Sequence, residues 1–205
     1  QPAKFGRVQN VIEKSTEFGS PTEIYDGLDL LGAARFTNGA QISGGMNLGR
    51  TESNRCFIVD SPNQRFCHST PPFQPSFSVF GVYPLPWLGL QFGATFQSIP
   101  GPEIVANYVA RNAEIAPSLG RNLSAGSAGT VSVPLIAPDS LYGNRQQQVD
   151  LRISKVLRFG RARMLGSIDI YNLFNRSGVQ SLNTQFGPAW QQPLHIQMVR
   201  YVKFS

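Results

Sequence analysis

Charge is scarce in this sequence. Only 15% of its 205 residues are Asp, Glu, Lys or Arg, against about 25% in an ordinary soluble domain. No run of about 18 apolar residues is present, which excludes a transmembrane helix. The opening "QPAKFGRVQN" has no Met, no basic n-region and no apolar h-region, so the chain is expected to start in mid-protein or after processing. Histidine is limited to His68 and His195, which leaves a His-based triad no obvious assembly. The Gly-rich pattern of a phosphate loop is missing. With Asp26, Asp29, Asp150 and Asp169 on strands and spread across the sheet, no catalytic centre, cofactor or metal site is expected.

The net charge is +6. A basic balance can mark a nucleic-acid surface. Here the arginines are scattered, with one small cluster at Arg158, Arg161 and Arg163, and no nucleic-acid partner is expected. Two cysteines, Cys56 and Cys67, lie close together in the Pro/Asn/Ser-rich "RCFIVDSPNQRFCHS". That setting favours a local disulfide and an oxidising compartment. A metal reading would need more ligands than the neighbouring His68; two free thiols are the remaining alternative.

What the chain has is alternation. In "LGLQFGATFQ", Leu88, Leu90, Phe92, Ala94 and Phe96 share one face, and Gln91, Thr95 and Gln97 the other. The same period of two runs through 24–36, 40–50, 148–159 and 194–204, where only Arg200 breaks it. "SIDIYNLFNR" (167–176) fits a helix face or a strand face, but its neighbours make it a strand, with Ile168, Ile170 and Phe174 opposite Asp169 and Tyr171. Asn172 then falls on the apolar side, near the rim or at a bulge. About eight strands are predicted: 3–13, 23–37, 40–52, 73–84, 87–99, 147–159, 162–175 and 193–205.

Register follows from face consistency. A three-residue loop at 37–39, with Gly39 left-handed, pairs Ala34 with Ile42 and Arg35 with Gln41. A turn at Gly160–Arg161 sets Arg152 against Asp169, a favourable cross-strand pair, and Arg158 against Arg163, an unfavourable one. Short turns are predicted at 37–39, 84–87 and 160–161. Long connections fall at about 16–22, 53–72, 100–146 and 176–192.

A structureless connection as long as 100–146 is unusual in a compact soluble domain and ordinary in an outer-membrane barrel, with short periplasmic turns and long extracellular loops. Several strands reach bilayer-spanning length. Their polar faces are rich in Gly, Ser, Thr, Gln and Asn, which suits a wet lumen. Phe36, Tyr83, Trp87 and Phe159 sit by the short turns, as in an interfacial girdle. A soluble sandwich, with those aromatics capping its core, is the competing reading.

The segments "YDGLDLLGAARFTNGAQISGGMNLGRT", "YPLPWLGLQFGATFQSIPGPEI", "QQQVDLRISKVLRFGRARMLGSIDIYNLFN" and "PLHIQMVRYVKFS" resemble the C-terminal part of TonB-dependent outer-membrane receptors. The likeness is to the Oar-like group, whose members carry a carboxypeptidase-regulatory-like domain. It covers nearly the whole chain. It implies a 22-stranded barrel with a plug and a TonB box, of which residues 1–205 would be a C-terminal part of the barrel wall, ending a few residues short of the family's terminal aromatic.

The expected class is therefore all-β, an antiparallel transmembrane barrel segment of about eight strands in the bacterial outer membrane. Its expected partners are outer-membrane lipid, an unidentified extracellular ligand, and the TonB complex through N-terminal parts the sequence lacks. Energy-coupled uptake is the function the resemblance implies. A passive or adhesin-like barrel and a secreted carbohydrate-binding sandwich are the alternatives. Asp29, Arg35, Arg152, Asp169, Tyr171 and Tyr201 are the lumen-facing polar candidates, expected to pair with one another, with the plug or with substrate. Arg55, Arg65, Tyr108, Arg111 and Arg121 are loop candidates for ligand capture.

Overall fold

A computed structural model describes residues 11–17, 19–57, 59 and 62–205. The predicted strand over 3–13 lies mostly outside the described residues, and its last three residues are not in a strand. The chain is all-β and antiparallel. Its main sheet runs β1 (Thr22–Arg35), β2 (Gln41–Asn54), β4 (Ser76–Leu85), β5 (Leu90–Ile99), β8 (Gln146–Phe159), β9 (Ala162–Tyr171) and β12 (Tyr201–Phe204) in that spatial order, with the two-residue β3 (His68–Ser69) added on β2. The sheet is open. β1 and β12 are its edges, and it does not close into a barrel.

The turns match the local chemistry. Phe36 N–H donates to Ala40 O at 2.9 Å, and Gly39, at φ 84°, closes a three-residue loop over 37–39. Ala34 faces Ile42 and Arg35 faces Gln41, the register that keeps like faces together. Phe159 faces Ala162 across a two-residue turn in which Gly160 has φ 59°. Arg152 faces Asp169 there, and Arg158 faces Arg163. The remaining short turn falls at 86–89 rather than 84–87, because Tyr83, Pro84 and Leu85 continue the ladder against Phe92, Gln91 and Leu90. All three short turns lie at one end of the sheet, and every long connection lies at the other.

The long connections are not structureless, as the composition of 100–146 had suggested. That stretch holds β6 (Asn107–Arg111), α1 (Asn112–Leu119) and β7 (Thr130–Pro134), with β6 and β7 paired as a hairpin. A second hairpin, β10 (Val179–Leu182) with β11 (Pro193–Ile196), follows β9. The two segments interlock: Asn107 N–H donates to Thr184 O at 2.8 Å and Trp190 Nε1 donates to Val105 O at 2.9 Å. Arg145 ties this cap to the sheet, donating through Nη2 to Pro75 O at 2.6 Å and Ser98 O at 3.1 Å. Cys56 and Cys67 are joined as a disulfide in the loop after β2, with Cα atoms 4.7 Å apart.

Two predicted strands are shorter than expected. The one over 162–175 stops at Tyr171, because Asn172 turns left-handed at φ 49°. The one over 193–205 is split into β11 and β12. Between them Met198 O accepts from Asn172 Nδ2 at 2.7 Å, and Arg200 N–H donates to Asn175 Oδ1 at 2.9 Å. Side chains of the β9 exit thus take backbone groups that a continuous strand would have given to its neighbour.

The ladder keeps each face uniform across the sheet. One row runs Ile42, Gly81, Ala94, Leu151, Ile170 and Val202; the next runs Gly44, Val79, Phe96 and Val149. Charged residues intrude on this apolar face at its two ends: Lys155 opposite Leu90 near the short turns, where its stem can carry the ammonium to a polar rim, and Glu52 and the Asp26–Arg50 pair, 3.6 Å apart, near the long connections. Nothing among the described residues covers the apolar face. Among the described residues, the only buried apolar side chains are Ala106 and Ala110, both in the cap, while Leu30, Phe96, Ile168 and Val202 are 52%, 39%, 39% and 50% exposed.

Candidate functional site: the polar face and its loop end

The opposite face carries mostly small and polar side chains, with Phe80, Val82 and Leu165 among them, and the sheet forms a hollow on it. A cavity of about 360 Å³ is lined by Phe80, Thr95, Asp150, Arg152, Asp169 and Tyr171, among others. Gly93, Ser154 and Ser167 leave room beside them. On its floor Arg152 grips Asp169 with two hydrogen bonds, Nε to Oδ1 and Nη2 to Oδ2, the latter 3.0 Å. Asp169 is 3% exposed, so its charge depends on that fork. Lys203 lies directly across from Asp169 on β12.

The polar residues singled out from the sequence all fall on this face, and all but Arg35 pair locally. Asp29 accepts from Asn47 Nδ2 on the neighbouring strand. Tyr171 and Tyr201, facing each other on β9 and β12, stack with ring centroids 4.6 Å apart. Arg35 shares a row with Arg152 and Asp169, but five strand steps of about 4.8 Å separate it from Asp169. The arrangement is a hydrogen-bonding wall rather than one convergent centre.

The loop candidates are not brought together either. Arg55 pairs with exposed Glu23 at 3.0 Å, and Arg65 lies over the Phe66 ring. Tyr108 O–H donates to Glu114 at 2.6 Å, and Arg111 N–H donates to the same carboxylate at 2.7 Å. Those two donors, Tyr108 first, hold the Glu114 carboxyl below its ordinary pKa, and the carboxylate raises that of Tyr108. Ser181 Oγ and His195 Nδ1 are 2.7 Å apart on the β10–β11 hairpin. No carboxylate hydrogen-bonds to His195, and no group of three metal-binding side chains exists, among the described residues.

Three features escaped sequence reasoning. The first is Arg145, whose long reach no local pattern signals. The second is the set of bonds made by Asn172, whose place at the strand's end the break in parity had marked. Its N–H donates to Asp150 Oδ1 at 2.8 Å, its amide nitrogen donates to Arg176 O and Met198 O, and its amide oxygen accepts from Arg176 N–H at 2.9 Å. The third is a glutamine cluster at the loop end of the polar face, where Gln97, Gln146, Gln147, Gln148, Gln180 and Gln197 line a cavity of about 100 Å³. The run "QQQ" at 146–148 was its visible trace.

No protein-family model, curated protein or solved structure matches the chain. No helix among the described residues is long and apolar enough to cross a membrane, which says nothing about crossing by strands.

Proposed function

We propose that the chain is part of the wall of an outer-membrane barrel of the TonB-dependent receptor kind, in the Oar-like group, and serves energy-coupled uptake of an extracellular ligand. The uncovered apolar face carries this reading. A Leu or Phe left half in water forgoes about 1 kcal/mol of burial. Over roughly a dozen such side chains the loss rivals the whole stability of a domain, about 5–15 kcal/mol. Lipid is the occupant that fits a face of this extent with one polar face behind it. The length of β1, β2 and β8, 14 residues each, supports the reading, since a tilted strand needs about 9–11 residues to span a bilayer. The segregation of short turns and long loops to opposite ends supports it too. Within it, the cap lies outside the cell, and the receptor group itself comes from the resemblance of the strand sequences.

Fractionation of bacteria making the protein tests the membrane reading. The expected result is recovery in outer membranes that resists alkaline extraction and yields to detergent. Recovery from the aqueous phase as a stable monomer would contradict it. Collapse of the inner-membrane proton gradient, applied to cells taking up the ligand, then separates an energy-coupled receptor from a passive barrel.

A further inference from the structure

Tyr25 lies flat on the polar face of β1 and β2. A Cβ built on Gly27 would stand 2.6 Å from its Cε1, and one built on Gly49, directly across on β2, would stand 2.9 Å from its Cε2. The two edges of the ring thus rest on glycines of neighbouring strands, where any larger residue would lift it. One face of the ring is turned to the backbone and the other away from it. Tyr25 is 62% exposed, so the outer face is open. A tyrosine over two glycines can serve only to cover bare backbone; the surroundings of this one go further.

The ring lines a cavity of about 320 Å³ at the loop end of the sheet, within the range of small-molecule sites, about 300–1,000 Å³. Pro71 and Pro72 add apolar surface to the lining. Thr51, Gln74, Asp139 and Tyr142 bring a hydroxyl, an amide, a carboxylate and a phenol, and all four residues are exposed or half-buried. Asp139 is held in place by its own N–H, which donates to Glu103 Oε1 at 2.6 Å. The lining carries one carboxylate, Asp139, and one guanidinium, Arg50, so it has no net charge that would select an ion.

An open, flat aromatic face selects a ligand with an apolar face of its own. The face of the ring is the negative part of its quadrupole, and it suits the slightly positive C–H hydrogens on one side of a pyranose. The edge of the same sugar carries hydroxyls, which donate to a carboxylate and both donate to and accept from amides and hydroxyls. A planar aromatic ligand would use the platform and leave the Asp139 carboxylate without hydroxyls.

We propose that this cavity binds a neutral pyranose sugar, its C–H face stacked on Tyr25 and its hydroxyls met by Asp139, Gln74 and Thr51. The inference deepens the uptake reading by naming a ligand class, and it rests on that reading only for the loop end facing the outside of the cell.

Gly49→Ala offers a test that keeps every polar group of the site. Its methyl would displace only the tip of the Tyr25 side chain, and the backbone of Gly49 is outside the left-handed region. The full chain in detergent is titrated with methyl glucoside, methyl galactoside, maltose and cellobiose, and binding is read by calorimetry and saturation-transfer NMR. Glucuronate and glucosamine serve as the charged probes and adenosine as the aromatic one.

The expected result is millimolar binding of at least one neutral sugar, weakened tenfold or more by Tyr25→Ala and by Gly49→Ala, and less than threefold by Tyr25→Phe. Four results would overturn the proposal: none of the neutral sugars binds, a charged sugar or adenosine binds more tightly than all of them, Tyr25→Ala or Gly49→Ala binds the sugar unchanged, or Tyr25→Phe loses as much as Tyr25→Ala. Binding in detergent needs neither transport nor insertion into a cell membrane. Failure of the uptake reading therefore shows in cells, and failure of this one in the titration.

Discussion

The backbone N–H of Asn172 donates to the carboxylate of Asp150 at 2.8 Å, joining the end of β9 to the strand beside it. Asn172 is 3% exposed and left-handed at φ 49°. Asn tolerates that conformation better than most residues. Its side chain then binds the backbone on both sides of the β10–β11 excursion.

Replacing Asn172 should therefore cost more than one cap. Asn172→Ala loses three side-chain hydrogen bonds, each about 1 kcal/mol, and adds left-handed strain of about 1 kcal/mol. The expected loss is about 2–4 kcal/mol in urea unfolding from detergent micelles. Asn172→Gly keeps the conformation and should lose less. Equal losses would remove the conformational part of the argument.

For the Arg152–Asp169 fork, the two partners differ in exposure: the Asp169 side chain is 4% exposed and that of Arg152 57%. Arg152→Met leaves the Asp169 carboxylate without its fork and should lower the urea midpoint. Adding Asp169→Asn should restore much of it, a coupling that a double-mutant cycle in urea measures. Additive effects would mean that Lys203, opposite Asp169, already compensates the charge.

The sheet was largely legible in the sequence, and the cap was not. Alternation at Leu90, Phe92, Ala94 and Phe96 is a period-two signal that needs no distant partner. The 37–39 loop could be read because one register alone kept Ala34 with Ile42. The cap rests on contacts such as Asn107 with Thr184 and Trp190 with Val105, which join residues far apart in the chain and leave no periodic trace. Asn172 signalled its place by breaking the strand parity, but parity cannot say that Met198 and Arg200 would bend to meet Asn172 and Asn175. The glutamine cluster takes its order from Asp150, which accepts from Gln148 Nε2 at 2.8 Å, a contact that only the folded chain shows.

The Glu114 carboxyl titrates below its ordinary value of 4.5, and Tyr108 above its ordinary 10.0. A lowered carboxyl pKa stabilises above 4.5 and fades as pH falls through the folded value; a raised phenol pKa stabilises below 10.0 and fades as pH rises through its own. The start of α1 should therefore be best held between those limits. Carboxyl ¹³C NMR should place the Glu114 midpoint below 4.5 and, in Tyr108→Phe, return it most of the way. An unchanged midpoint in that variant would show that the Arg111 N–H alone sets it.

Cys56 and Cys67 should take up no alkyl groups without reductant and two after reduction, read as mass. The loop they close is short, with a separation of 11 residues, so reduction should cost about 2–3 kcal/mol at most. That loss should stay local to the loop after β2 and leave the ladder of β4 and β5 intact in hydrogen exchange.

The central claim is that lipid covers the apolar face. It is tested most directly by nitroxide labels on single added cysteines in phospholipid bilayers, with Cys56 and Cys67 kept oxidised. The pairs are Leu30 and Asp29, Ile42 and Gln41, Phe92 and Gln91, and Ile168 and Ser167. The account expects collision with oxygen to dominate at the first of each pair, and collision with a water-soluble nickel complex at the second, alternating along all four strands. Equal access of the nickel complex to both faces, or an apolar face shielded from oxygen and nickel alike, would contradict it.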